Sequence, residues 1–143
     1  MSGGSRSVLV CIDASEFAER AFEYYVQNVW RQGDNVILGY IPEFYNFEFA
    51  SPRVIEQLLK EESDKCNKVE EKYKQKMTEH NLSGKFKTDR GKPGDALCKM
   101  AQDEGATLIV IGSRGLGKVR RTLIGSVSSD VLHHAHVPVL VCK

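Results

Sequence analysis

No stretch of this sequence comes near the roughly 20 consecutive apolar residues that cross a bilayer. Its opening, MSGGSRSVLVCID, also lacks the apolar core of roughly 7–15 residues that a secretory leader carries. Neither sign of charge dominates: 20 Lys and Arg stand against 19 Asp and Glu, a net +1, so no overall basic field argues for nucleic acid or an anionic membrane. The four cysteines, Cys11, Cys66, Cys98 and Cys142, are far apart and form no C-x-x-C pair. A reduced, cytoplasmic protein with free thiols is therefore expected rather than a stapled secreted one. There is no internal repeat, no low-complexity segment and no linker, which predicts a single domain over 1–143 with 1–6 as a flexible tail. At 143 residues and 41% hydrophobic composition the chain can bury a core without staples.

Short apolar runs alternate with helical periodicities. SVLVCI (7–12) predicts a strand buried on both faces. Asp13-Ala14-Ser15 interrupts it, with Ser15 as a helix cap ahead of Phe17, Ala21, Tyr24, Tyr25 and Val29 at helical spacing. Gly33-Asp34 marks a turn before a second strand over 36–41, which Pro42 ends. A loop with the aromatics Phe44, Tyr45, Phe47 and Phe49 follows. From Pro52 to about His80 a long charged helix is predicted, with Ile55, Leu58, Leu59, Cys66, Val69, Tyr73 and Met77 on its apolar face. A weak strand over 85–91 and a helix capped by Asp95 and closed by Gly105 come next. Strands over 107–112 and 137–142 flank a last helix over 126–135. This order predicts an α/β fold, a mostly parallel sheet of five strands with helices on both faces. Ligands bind such sheets at the carboxyl ends of the strands, where the strand order reverses.

The segment GSRGLGKVRRTLIGS (112–126) is where chemistry concentrates. Gly112 to Lys118 reads G-x-x-x-x-G-K, but Val119 stands where a P-loop needs the hydroxyl that binds Mg²⁺. The segment also follows the fourth strand rather than the first. A better description is Gly112-x2-Gly115-x9-Gly125-Ser126, in which glycines let backbone approach a ligand and Ser126 starts a helix whose first N–H groups face outward. That pattern suits a di- or triphosphate. A glycine-rich turn that only joins a strand to a helix explains the spacing about as well.

The run 112–143, GSRGLGKVRRTLIGSVSSDVLHHAHVPVLVCK, resembles the C-terminal signature of the universal stress protein family, whose nucleotide-binding members carry G-x2-G-x9-G-[ST]. VLVCIDASEFAERAFEYYV resembles that family's first strand, turn and helix, and VILGYIP its second strand. The resemblance implies a Rossmann-like fold of the adenine nucleotide alpha hydrolase kind, with the first and fourth strands adjacent. It implies ATP, AMP or ADP as ligand, with Mg²⁺ accompanying the phosphates. Asp13, flanked by Ile12 and Ala14, would contact ribose or adenine, and Ile41 would pocket the adenine. Ile111 and Gly112 would line the site, Arg114 and Gly115 would run along the phosphates, and Gly125, Ser126, Val127 and Ser128 would clasp them. The implied role is a nucleotide-dependent sensor or partner-binding module of the stress response, working as a homodimer paired through Val137–Cys142. A slow ATPase or an adenylyl- or phosphoryl-transferring enzyme is the alternative. Tyr40 stands where many relatives have His, and Thr107 where many have Asp.

Other candidates have plainer explanations. His133, His134 and His136 lack a carboxylate or thiol companion and suit a helix C-terminus. Cys11 lies mid-strand as a small hydrophobe. Lys118, Arg120 and Arg121 could neutralise phosphate, but at least two of them suit a solvated loop. Asp13 is the only acid expected at the pocket, and no general base for fast hydrolysis is evident.

Overall fold

The computed structural model describes residues 5–42, 47–114 and 124–143. Nine elements follow in the order β1 (Ser7–Cys11), α1 (Glu16–Asn28), β2 (Asn35–Tyr40), α2 (Pro52–Glu79), β3 (Ser83–Thr88), α3 (Pro93–Asp103), β4 (Ala106–Gly112), α4 (Ser126–His134) and β5 (Val139–Cys142). The five strands form one sheet in the order β3-β2-β1-β4-β5, and every neighbouring pair is parallel. This is the expected α/β architecture. The order reverses between β1 and β4, so the chain leaves those two strands toward opposite faces of the sheet.

Alternation along the central strands feeds two cores. Val8, Val10, Val36 and Leu38 point to one face and meet Ala21, Phe22 and Tyr25 of α1 with Val69, Tyr73 and Met77 of α2. Leu9, Ile37 and Ile109 point to the other and meet Leu97, Met100 and Ala101 of α3 with Val131 of α4. Strands buried on both faces need apolar residues at every position, which is why β1, β2 and β4 read as unbroken runs. Phe22 and Tyr73 meet edge to face at 5.4 Å and lock α1 to α2. Lys72 and Lys76 of α2 extend that seam through ion pairs to Glu19 and Glu23 of α1.

Three expectations need correction. Arg6 is no part of a loose tail: its guanidinium grips the Asp34 carboxylate at 2.8 and 3.1 Å and the Val29 carbonyl at 2.9 Å. Tyr25 donates to the same carboxylate at 2.7 Å, and the Arg31 N–H at 3.1 Å, so the buried Asp34 organises the turn before β2. Asp95 does not cap α3. Lys92 holds the cap position without a side-chain bond, and Asp95 sits inside the first turn, where it still suits the helix dipole. The apolar face of α2 is also buried only over its second half. Leu59 is 55% exposed and Val54 45%, whereas Glu62 turns inward.

Candidate functional site

A cavity of about 380 Å³ opens at the carboxyl ends of β1, β2 and β4, at the point where the strand order reverses. Its floor and first wall come from β1 and the turn after it. The Ile12 N–H donates to the Gly39 carbonyl at 2.9 Å and carries the β1–β2 pairing one residue beyond the strand. The Asp13 carboxylate then accepts the Ser15 N–H at 2.7 Å, and the Ser15 hydroxyl accepts the Ala18 N–H at 3.2 Å. These two bonds turn the chain into α1 and leave Asp13 half-exposed at the cavity rim.

The opposite wall comes from β4 and α4. A Cβ built on Gly112 would lie 2.7 Å from the Phe17 carbonyl oxygen and 2.8 Å from its carbon. Glycine is therefore required here by the close approach of α1. Beyond it, the Ser113 N–H donates to the Cys142 carbonyl at 2.7 Å, and the Gly125 N–H donates back to the Ser113 carbonyl. The Ser128 hydroxyl, almost fully buried, donates to the Gly112 carbonyl at 2.6 Å. Two donors expected to clasp phosphate, the Gly125 amide and the Ser128 hydroxyl, thus serve the chain itself. They tie the start of α4 to the end of β4.

What remains for an anion is the first turn of α4. Its first intrahelical bond runs from the Ser129 N–H to the Gly125 carbonyl, so the N–H groups of Ser126, Val127 and Ser128 precede the helical ladder. With the positive end of the helix dipole they make an anion site of backbone. Arg114 adds a full charge beside it, its guanidinium 5.8 Å from the centre of the Phe17 ring. Arg20 lies 5.5 Å from the same ring, so Phe17 is flanked by two cations.

Ile12, Asp13, Ala14, Ile41, Gly112, Arg114, Gly125, Ser126, Val127 and Ser128 all line this one cavity. Ile111 does not; it packs into the core on the α3 and α4 side. Gly115, Lys118, Arg120 and Arg121 lie outside the described residues, as do Phe44 and Tyr45 of the aromatic loop. Sequence reasoning missed Gly39 and Tyr40 of β2, Glu62 and Lys65 of α2, and Pro93 and Leu97 of α3, which also line the cavity. One signal for Glu62 was present. It falls on the stripe that runs through Cys66, Val69 and Tyr73, where a carboxylate interrupts an otherwise apolar face.

The Nδ1 atoms of His133 and His134 lie 2.7 and 2.8 Å from the carbonyls of Ser129 and Asp130, one turn back. Among the described residues no group of three or more His, Cys, Asp or Glu could hold a metal ion. All four cysteines are free. Burial pushes the Cys11 thiol well up, with Cys98 and Asp13 adding to the effect, so it is no nucleophile although it touches the cavity. No helix among the described residues is long and apolar enough to cross a membrane.

Known proteins share this fold. A universal stress protein of Mycobacterium tuberculosis is 31% identical over 144 residues, covering 95% of this chain and 94% of its own. The solved universal stress protein UspA from Lactobacillus plantarum superposes with a TM-score of 0.83 at 22% identity, covering 99% of this chain and all of its own. A universal stress protein family protein from Arabidopsis thaliana, solved with AMP bound, superposes with a TM-score of 0.73 at 23% identity, over 96% of this chain and 91% of its own. The model of the universal stress protein family matches residues 4–143, and with a relative of that identity at nearly full length the conclusion is direct: the chain belongs to the universal stress protein family.

Proposed function

We propose that this protein binds ATP, or the related AMP or ADP, in the cavity over β1 and β4. There it acts as a nucleotide-dependent sensor or partner-binding module of the stress response. The observation that carries the reading is the meeting of three features in one cavity: the amides at the start of α4, Arg114, and the Asp13 turn. The first two suit the phosphates, and Asp13 with Ile41 suits the ribose and adenine. The Arabidopsis relative, by its description, holds AMP, and the reading extends that ligand class to this chain. Mg²⁺ would arrive with the phosphates. The lining carboxylates Asp13 and Glu62 belong to the β1 and β2 side, and they form no protein-held metal site among the described residues.

Titration calorimetry with ATP tests the reading, with one site per chain and a Kd on the order of micromolar expected, about −8 kcal/mol. The informative variant is Ser126→Pro. Proline is tolerated at the first position of a helix, and Gly125 already holds φ −72° and ψ 167°, the region that a residue before proline prefers. The substitution therefore leaves α4 intact while deleting one N–H and one hydroxyl. A hydrogen bond to a charged group contributes roughly 1.5–3 kcal/mol, so affinity should fall roughly 10- to 100-fold. Unchanged ATP affinity in a folded variant would remove the phosphate assignment.

The reading includes a homodimer through β5, an edge strand whose Val139, Leu140 and Val141 are only half-buried. Sedimentation as a monomer at tens of micromolar would exclude it. Sustained phosphate release from pure protein near the roughly 10 s⁻¹ typical of enzymes would favour the ATPase alternative.

A further inference from the structure

Two carboxylates are nearly fully buried among the described residues, Asp34 and Glu62. Asp34 is turned into the protein, where Arg6, Tyr25 and the Arg31 N–H all point at it. Glu62, only 8% exposed, stands in the wall of the cavity and accepts a hydrogen bond from the Tyr40 hydroxyl at 3.2 Å. A carboxylate placed on the apolar stripe of a helix costs desolvation that a leucine would not. It also offers two oxygens with about four acceptor sites, so a bond accepted from within the protein does not exhaust it.

The position of Glu62 gives the cavity a direction. Tyr40 ends β2, whereas Arg114 and the amides of α4 follow β4, and β1 lies between. The ends of β2 and β4 are therefore two strand spacings apart, roughly 10 Å. The amides of α4 and Arg114 draw phosphate to one end of the cavity, and the Glu62 carboxylate at the other end takes hydrogen-bond donors. On a nucleotide lying with its phosphates on α4, the nucleoside half lies toward the β2 end, where Glu62 and Lys65 of α2 both line the cavity.

We propose that Glu62, held by the Tyr40 hydroxyl, is a specificity residue whose carboxylate accepts a hydrogen bond from the nucleoside half of the bound nucleotide, from a ribose hydroxyl or the amino group of the base. The assignment rests on the nucleotide reading of the cavity given above. It makes α2 a part of the site that the glycine signature does not include. It also gives a role to the buried acid of this helix, which shares the cavity wall with Lys65.

Calorimetry with four triphosphates tests it: ATP, 2′-deoxy-ATP, 3′-deoxy-ATP, and purine riboside triphosphate, which lacks the 6-amino group. The parent protein should bind one of the three analogues roughly tenfold more weakly than ATP, as loss of a hydrogen bond to a charged group requires. Glu62→Leu, which continues the apolar stripe, should lose the same factor for ATP and nothing further for that analogue. Glu62→Gln should recover part of the loss. The proposal is overturned if Glu62→Leu binds ATP as the parent does, or if it loses one common factor against all four ligands, the mark of a merely structural role. Should Glu62→Leu fail to unfold cooperatively, the analogue series on the parent and on Glu62→Gln still decides, and equal binding of all four ligands by the parent overturns the assignment. Absence of any ATP binding by the folded parent would instead sink the nucleotide reading itself, and Glu62 with it, before any variant is made.

Discussion

Replacing Gly112 with alanine tests how the fold builds the cavity. The added Cβ would meet the Phe17 carbonyl oxygen at 2.7 Å, its carbon at 2.8 Å and its Cβ at 3.1 Å. The first two are backbone, so no rotamer change relieves the contact. Either β4 or the first turn of α1 must shift. Overpacking of this kind costs roughly 1–3 kcal/mol. For a chain of 143 residues each kcal/mol lowers Tm by roughly 3 °C, so a drop of about 3–10 °C is expected in thermal unfolding followed by circular dichroism. The strain also reaches the site, because the Gly112 carbonyl holds the Ser128 hydroxyl and Arg114 packs over Phe17. ATP affinity should therefore fall in the same variant. Gly91→Ala is the control. Gly91 has φ +114° with nothing within 4 Å of an added Cβ, so its penalty is backbone strain of about 1–2 kcal/mol without loss of affinity. A Gly112→Ala protein that melts within 1 °C of the parent would refute the steric account.

Burial alone would push the Asp34 carboxyl up, but the Arg6 guanidinium, the Tyr25 hydroxyl and the Arg31 N–H hold it below its ordinary 3.8. A depressed folded value means stability that is present above about pH 4 and lost as pH falls through the folded value. Asp34→Asn should cost roughly 2–4 kcal/mol in denaturant unfolding at pH 7, and its gap to the parent should narrow only below pH 4. A gap independent of pH down to pH 2 would contradict the assignment. The α1–α2 ion pairs should matter far less. Lys72 is 46% exposed in its pair with Glu19, so Lys72→Ala should cost under about 1 kcal/mol, and the cost should vanish in 1 M salt.

The elements legible from sequence were those in which local periodicity and burial coincide. SVLVC, NVILGY and ATLIVIG are strands because each is apolar on both faces, and the Ser15 cap and the Gly105 stop, at φ +65°, are local chemistry. Asp95 misled because a capping residue type inside a first turn looks the same in sequence as one at the cap. Leu59 misled because periodicity reports a face, and cannot say how far the partner surface extends along it. Gly112 and Gly125 of the glycine signature line the cavity, but each also has a partner within the chain. Gly112 is small for Phe17, and the Gly125 amide belongs to Ser113, partners 95 and 12 positions away in the chain respectively.

By itself the sequence determined the α/β order, the five strands, and the family whose signature spans 112–126. These depend on patterns within a few residues or on spacings along one segment. Only the tertiary structure decided which donors remain for a ligand and that Glu62, far from the signature, shares its cavity. Whether a hydrogen-bonding group faces a ligand or a distant carbonyl depends on which segments the sheet brings side by side. Spacing along the chain does not encode that.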